Sequence, residues 1–162
     1  MESYDIKLFS MGGTIDKSFY NTQTSSYIVS TPQAERILGN ANLSLEISIE
    51  SLVQKDSLDL NTEDRELLLR RIENEQCSRI IITHGTDTLR ETAHFLKNVL
   101  HKTIVFTGAM LPARFVDSDA AVNLGGALIA AQTLASGLYL VMHGRVFNPL
   151  TVEKDREKSL FY

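Results

Sequence analysis

Two short segments combine glycines with hydroxyl side chains in a way that suits nucleophilic chemistry. Gly12-Gly13-Thr14 follows one apolar run, and His84-Gly85-Thr86-Asp87-Thr88 places two hydroxyls and a carboxylate after another. Glycines let the backbone approach a ligand closely and present its amide groups, and a threonine hydroxyl becomes a nucleophile when a neighbouring base takes its proton. Taken alone, the first segment is better explained as a tight turn with a capping Thr14.

Several other site types do not fit these segments. Gly12-Gly13 lacks the third glycine of a dinucleotide-binding loop and the Gly-Lys-Ser/Thr ending of a phosphate loop. The acidic stretch 56–61 has neither the spacing nor the glycine of a calcium loop, so we interpret it as a turn before a helix. Thr88 and Glu91 fit a capping box, which explains both of them but not Thr86. The pattern implies no metal and no organic cofactor.

Composition limits the class of protein. The chain has 162 residues, 43% hydrophobic, a net charge of −4 and a single cysteine, so we expect one domain, 1–162, with an ordinary core and no internal disulfide. The mild acidity argues against a nucleic-acid partner. The start of the chain lacks the basic and apolar regions of a secretory signal, which predicts the cytoplasm. The charge-free stretch 120–142 contains polar residues and Gly137, so we expect a buried helix and strand and no membrane span.

The hydrophobic pattern predicts alternating strands and helices. Runs such as Arg79-Ile80-Ile81-Ile82-Thr83, apolar without alternation, are typical of strands covered on both faces. Predicted strands are 6–10, 45–49, 79–83, 103–107 and 138–142. Predicted helices are 31–39 with Thr31 as N-cap, one beginning at the N-cap Thr62, 88–100 and 119–136. Residues 14–30 are predicted to be a loop, and 153–162 a loop or a short docked segment.

This alternation predicts an α/β fold of three layers, a parallel-rich sheet with helices on both faces, as in Rossmann-like and flavodoxin-like domains. Ligands bind such sheets beyond the carboxyl ends of the strands. The loops 11–14, 84–88 and 108–114 all follow strands in this way. We therefore expect the two glycine–threonine segments to lie at one edge of the sheet.

The two segments together resemble a known family. MGGTID at 11–16 and ITHGTDTLRETA at 82–93 are similar to the two signature motifs of the bacterial-type L-asparaginase/glutaminase family, and FTGAMLPA at 106–113 and DSLDLN at 56–61 also match. The resemblance runs from about Ile6 to Lys154. It covers the family's N-terminal domain and not its usual smaller C-terminal domain, which implies either a short single-domain member or a truncated form.

The resemblance implies four catalytic roles. Thr14 corresponds to the nucleophilic threonine of the first motif. Thr86 and Asp87 correspond to the second catalytic threonine and to the carboxylate that receives the α-amino group of the substrate. Lys154, in LTVEKD, corresponds to the lysine that completes a Thr–Lys–Asp triad. Lys154 in its neutral form, relayed through Thr86, is then the candidate base.

The resemblance also implies substrate contacts. Tyr27 falls where the family has the tyrosine that closes over the substrate, with Tyr20 a weaker contender, and Ser57 would hold the α-carboxylate. Family members often carry Gln after that serine, whereas this chain has Leu58, which removes one hydrogen bond to the substrate.

Backbone amides complete the implied site. Gly13 and Gly85 would line the substrate, and the amides around Gly13 and Thr86 would supply donors for the oxyanion. The expected reaction is hydrolysis of L-asparagine, a small-molecule substrate, to L-aspartate and ammonia. An amino-acid-binding module without turnover and a subunit of a tRNA-dependent amidotransferase are the alternatives. In two-domain relatives the site lies at a subunit contact, so we expect a homodimer or a higher homo-oligomer.

Overall fold

The computed structural model describes residues 3–162, which contain a six-stranded sheet of order β4-β1-β5-β6-β7-β8. All neighbours in the sheet are parallel except β7 and β8. The helices are α1 (Ala34–Gly39), α2 (Thr62–Asn74), α3 (Leu89–Leu96) and α4 (Ala120–Thr133). The strands are β1 (Ile6–Gly12), β2 (Lys17–Asn21), β3 (Ser26–Val29), β4 (Ile47–Lys55), β5 (Arg79–Thr83), β6 (Thr103–Thr107), β7 (Gly137–Met142), β8 (Arg145–Phe147), β9 (Lys154–Asp155) and β10 (Leu160–Phe161).

The sheet is buried on both faces, which confirms the predicted fold class. In β5, Ile80 and Ile82 face a core shared with α2 and α3, while Ile81 faces a second core shared with α4 and α1. All three side chains are fully buried. Successive residues of a strand point to opposite faces, so a strand covered by helices on both sides needs apolar residues at consecutive positions.

Residues 17–29, predicted to be loop, form an antiparallel hairpin of β2 and β3 instead. Its strands carry aromatic and β-branched side chains such as Phe19 and Ile28, which favour strands. The polar residues 21–26 that suggested a loop occupy the turn and its two flanking positions, where Ser25 has a positive φ of 51°.

Element boundaries differ from the prediction where distant side chains intervene. The α1 helix begins at Ala34 and not near Thr31, because the amide of Gln33 donates to the buried carboxylate of Asp16. The N-cap of α2 is Asn61, which forms a reciprocal capping box with Asp64, and not Thr62. The fourth strand runs over Ile47–Lys55, further than the predicted 45–49.

The predicted capping box at the start of α3 is wrong. Thr88 is the N-cap residue, but its hydroxyl donates to the carbonyl of Ser57 at 2.7 Å. Glu91 pairs with Arg65 at 3.1 Å. Thr88 therefore connects the start of α3 to the segment between β4 and α2, and Glu91 connects α3 to α2 itself. The helices of the described chain are all too short to cross a membrane as an apolar span, including the charge-free α4.

Candidate active site

Three chain segments meet beyond the carboxyl ends of β1, β4 and β5. A Cβ added to Gly13 would collide with the backbone of Gly85, and one added to Gly85 would lie 2.5 Å from Cβ and 2.7 Å from Oγ of Ser57. The backbones of Gly13 and Gly85 are therefore in direct contact, and the backbone of Gly85 also contacts the side chain of Ser57. Because Thr14 and Thr86 directly follow the two touching glycines, the structure brings the two predicted catalytic threonines to one place.

The turn that carries Thr14 depends on two glycines. Gly12 and Gly13 have φ values of +84° and +86°, which residues with a side chain rarely adopt. The amide of Gly13 donates to the carbonyl of Lys55 at 2.9 Å, and its carbonyl accepts from the amide of Asp16 at 3.1 Å. Thr14, half-buried, thus begins a short 3₁₀ turn whose two ends are fixed.

A second group of predicted residues forms a hydrogen-bonded triad. Nζ of Lys154 donates to Oγ1 of Thr86 at 2.8 Å and to Oδ1 of Asp87 at 2.8 Å. The Lys154 side chain is 18% exposed and that of Asp87 29%, so the triad lies at the surface opening and not in the core. A lysine amine that bonds a hydroxyl and a carboxylate together is placed to exchange a proton with that hydroxyl.

Lys154 lies on β9, and the small sheet of β9 and β10 positions it beside Thr86. Lys154 pairs with Phe161 across this antiparallel sheet, and Phe161 is buried in the core that α2 and α3 cover. The tail predicted as a loop or docked segment is thus docked by its aromatic residue. Packing of Phe161 holds one side of the pair while the Lys154 side chain reaches Thr86.

Ser57 lies in the first turn of a 3₁₀ helix, Ser57–Asp59, and is 2% exposed. The preceding residue, Asp56, accepts from the amide of Leu58 at 3.2 Å and pairs with Lys17 at 2.9 Å. Burial acts to raise the pKa of Asp56, but the hydrogen bonds from Lys17 and from backbone amides outweigh it and leave the pKa below its usual value. Asp56 is thus an ionised anchor that fixes Ser57 in place.

Tyr27 lies on the outer surface of the hairpin. Its ring stands edge-on to Tyr20, its partner across β2 and β3, with centroids 5.2 Å apart, and edge-on to Phe115 at 5.3 Å. Tyr27 and Leu58 line one open groove of about 480 Å³ beside Lys17 and Asp56. The Leu58 side chain, 65% exposed, points an apolar surface into this groove.

Sequence reasoning missed two charged residues near the site. Asp16 is 1% exposed; its carboxylate accepts from the hydroxyl of Ser10 at 2.7 Å and from the amide of Gln33 at 2.8 Å. Burial raises the pKa of Asp16 to about 6, although both hydrogen bonds act in the opposite direction. Arg156 approaches Oδ1 of Asp87 to 3.9 Å. The MGGTID segment contains Asp16, but only the packing of Gln33 against it reveals its burial.

The arrangement suits chemistry by side chains and backbone amides. Among residues 3–162, no group of three or more His, Cys, Asp or Glu side chains is placed to hold a metal ion. The site combines a hydroxyl on a glycine turn, a lysine bonded to a second hydroxyl, a carboxylate and a buried serine. These groups can bind a small zwitterion and act on its carbonyl group.

Comparisons with known proteins identify relatives along almost the whole chain. Residues 5–160 match the family described as "Asparaginase, N-terminal". L-asparaginase 2 of Escherichia coli is 32% identical, and a probable periplasmic L-asparaginase of Haemophilus influenzae is 33% identical. Each alignment covers 93% of this chain and 46% of the relative. The chain therefore spans about half the length of these curated relatives.

Solved structures agree with the fold. The thermostable L-asparaginase from Thermococcus kodakarensis superposes with a TM-score of 0.78 at 27% identity, covering 92% of this chain and 47% of that one. L-asparaginase I from Vibrio cholerae has the same fold, with a TM-score of 0.82 at 23% identity, covering 99% of this chain and 51% of that one.

Proposed function

Because this chain belongs to the asparaginase N-terminal family, we propose that it hydrolyses the side-chain amide of L-asparagine to L-aspartate and ammonia. The observation that carries the proposal is the position of Lys154, whose Nζ lies 2.8 Å from both Thr86 Oγ1 and Asp87 Oδ1. Binding an amino acid needs opposite charges for its two charged groups, but it does not need a lysine bonded to a threonine hydroxyl. Such a contact supports proton transfer and therefore turnover.

In the proposed reaction Thr14 is the nucleophile. Its hydroxyl attacks the carboxamide carbon, and the hydroxyl proton passes through Thr86 to neutral Lys154. The C–N bond then breaks, and the nitrogen takes that proton and leaves as ammonia. Water hydrolyses the Thr14 ester that remains, which releases aspartate and restores the Thr14 hydroxyl. An amide carbonyl is a poor electrophile, so the developing oxyanion needs donors. The amide of Gly13 already donates to the carbonyl of Lys55, so the amide of Thr86 takes this role. The contact between the Gly13 and Gly85 backbones keeps it beside the turn that carries Thr14.

Lys154, Thr86 and Asp87 act on the same substrate from the other side. Neutral Lys154 takes the proton of the Thr86 hydroxyl, and Thr86 in turn takes the proton of the Thr14 hydroxyl. Asp87 receives the α-amino group, and buried Ser57 receives the α-carboxylate. Oδ1 of Asp87 lies 2.8 Å from Nζ of Lys154 and 3.9 Å from the guanidinium group of Arg156, and its carboxylate supplies the acceptor that an ammonium group needs.

Tyr27 closes the site over the substrate in this proposal. In the structure its ring packs against Tyr20 and Phe115, so closure requires the hairpin of β2 and β3 to leave Phe115. The aromatic side chains of the hairpin are largely exposed, among them Phe19 at 62% and Tyr20 at 54%. A segment with so little burial opens at low cost.

Ammonia release from L-asparagine by the purified protein tests the proposed function. Lys154→Met keeps the length of the side chain and removes the amine, so we expect turnover to fall by orders of magnitude. Lys158→Met, in the same small sheet's turn and 75% exposed, is the matched control and should retain activity. Binding of L-asparagine measured by calorimetry without any ammonia release would favour the amino-acid-binding module instead.

We further propose that the protein self-associates. The outer face of α4 exposes Val122 (71%) and Ile129 (62%), and the neighbouring edge strand exposes Val146 (53%). These side chains line an apolar groove of about 260 Å³, and most oligomers of soluble proteins are symmetric homo-oligomers. Sedimentation at the assay concentration should give at least a dimer; a fully active monomer would refute this proposal. A cytoplasmic location stays a prediction.

A further inference from the structure

A buried hydrogen-bonded chain lies directly behind the Thr86 loop and is not used by the proposed mechanism. His84 is fully buried; its Nδ1 lies 2.7 Å from the carbonyl oxygen of Gly85, and its Nε2 lies 2.7 Å from Oγ1 of Thr92. The same Thr92 oxygen accepts from Nε of Arg65 at 3.1 Å. Arg65, 6% exposed, also donates to the carbonyl of Leu60.

The direction of every hydrogen bond in this chain follows from the donors available. A carbonyl oxygen only accepts, so the proton of neutral His84 is on Nδ1 and points to Gly85. Nε2 then has a free lone pair, and the hydroxyl of Thr92 donates to it. Burial, followed by the positive charge of Arg65, lowers the pKa of His84 to about 4, against the effect of the Gly85 carbonyl, which agrees with a neutral ring.

This chain fixes one peptide plane. The carbonyl of Gly85 and the amide of Thr86 belong to the same trans peptide, whose C=O and N–H point in opposite directions. Because His84 holds the carbonyl toward the protein interior, the Thr86 N–H points away from the interior. Within residues 3–162 this amide makes no backbone hydrogen bond, so it is available to a ligand.

We propose that His84, supported by Thr92 and Arg65, is a positioning residue that orients the Gly85–Thr86 peptide so that the Thr86 amide faces the reacting carbonyl. This inference rests on the proposed function for the identity of that carbonyl. The position of Gly85 is also restricted by Ser57, whose Cβ lies 2.5 Å from where a Cβ of Gly85 would be. Because contacts with Ser57 already restrict the position of Gly85, the hydrogen bond from the His84 ring sets the orientation of the Gly85–Thr86 peptide.

Two pairs of variants test this role through kcat and KM of the folded protein. Thr92→Val removes the hydroxyl at nearly constant volume, while Thr92→Ser keeps it. His84→Gln loses the donor at the Nδ1 position, while His84→Asn keeps a donor there. We expect Thr92→Val to lower kcat about tenfold and His84→Gln about a hundredfold, with KM within about twofold, since loss of one oxyanion donor costs about 10²–10³ in kcat. Thr92→Ser and His84→Asn should retain more activity than their partners.

A second readout does not need turnover. Nitrogen NMR of the His84 ring should show the proton on Nδ1 between pH 6 and 8, and the amide resonance of Thr86 should shift in Thr92→Val and stay in place in Thr92→Ser. A proton on Nε2, or an unmoved Thr86 amide in Thr92→Val, would overturn the positioning role. Equal losses of kcat in both members of a pair would also overturn it. A wild-type protein that releases no ammonia but shows the expected NMR pattern would refute the proposed function alone.

Discussion

Nζ of Lys154 lies 2.8 Å from the hydroxyl oxygen of Thr86, although 68 positions separate the two residues in the chain. Thr86 is held by the loop after β5, and Lys154 by a two-stranded sheet whose Phe161 is buried in the core. The contact therefore depends on docking of the C-terminal segment. Arg90 and Glu153, paired at 2.6 Å, join the same two segments outside the triad.

The first prediction concerns the nucleophile. Thr14→Ala should lower kcat by several orders of magnitude, because Thr14 carries the hydroxyl that directly follows the Gly12-Gly13 turn and its removal leaves no nucleophile at that position. The fold should remain intact, since the half-buried Thr14 side chain is not part of the apolar core. Kinetics and circular dichroism of Thr14→Ala and Thr14→Ser check this, and more than a tenth of the wild-type kcat in Thr14→Ala would exclude Thr14 as nucleophile. Thr86→Val should be comparably severe.

The second prediction concerns the pH dependence of activity. A lysine acts as a base only after its ammonium group loses a proton, so the fraction of enzyme with neutral Lys154 increases with pH. We expect kcat to rise from neutral into alkaline pH, as measured by ammonia release over pH 6–10. A maximum below neutrality would contradict the role of Lys154 as base.

The third prediction concerns substrate length. Ser57 and Asp87 bind the carboxylate and the ammonium group on the α-carbon, so the position of the α-carbon is fixed. Only a side chain of the right length then places its carboxamide carbon beside Thr14. Glutamine is longer by one methylene, and a methylene is worth about 1–3 kcal/mol in a tight pocket. We expect kcat/KM for asparagine to exceed that for glutamine by about 10–200-fold. Equal values for the two amides would be inconsistent with this binding mode.

The fourth prediction concerns Gly85. A side chain at this position would lie 2.5 Å from Cβ of Ser57, so Gly85→Ala must push apart the loops that carry Thr86 and Ser57. We expect a lower melting temperature and a large loss of kcat/KM. Gly39→Ala is the matched control, because nothing lies within 4 Å of its added Cβ, and alanine at a helix position is more favourable than glycine by about 0.5–1 kcal/mol. Similar losses in both variants would show that the close approach is unimportant.

The fifth prediction concerns the pH dependence of stability. Burial raises the pKa of Asp16 from 3.8 to about 6, so between these pH values the folded state binds more protons than the unfolded state. The contribution of Asp16 to the free energy of unfolding must then fall as pH rises through this range, by roughly 3 kcal/mol for a shift of about two pH units. In Asp16→Asn this contribution should disappear.

Urea denaturation at pH 4 and pH 7 measures the effect, with Asp117→Asn on the surface as the control. His84 contributes with the opposite sign, because its pKa is lowered from 6.5 to about 4 and its stabilisation is lost as pH falls through that range. The difference between wild type and Asp16→Asn isolates the Asp16 contribution. The same pH slope in both proteins would mean that Asp16 titrates normally.

The sequence alone determined the layers of the fold and the positions of the two glycine–threonine loops. Consecutive apolar residues in β5 and β6 predicted strands covered on both faces, and glycine–threonine segments after two strands predicted one shared edge. Both predictions are confirmed, because side-chain periodicity and the geometry of parallel sheets are local and general. The family was predicted from the same two segments and is also confirmed.

Only the tertiary structure decided the features that depend on distant partners. The hydroxyl of Thr88 bonds Ser57 and Glu91 bonds Arg65, so a capping box that the local sequence allows is not formed. The burial of Asp16 by Gln33, the docking of Phe161 that brings Lys154 to Thr86, and the chain from Arg65 to Gly85 likewise join separate segments. Spacing along a chain carries no information on such contacts, because the free energy of a buried hydrogen bond or a packed ring depends on groups that only folding brings near.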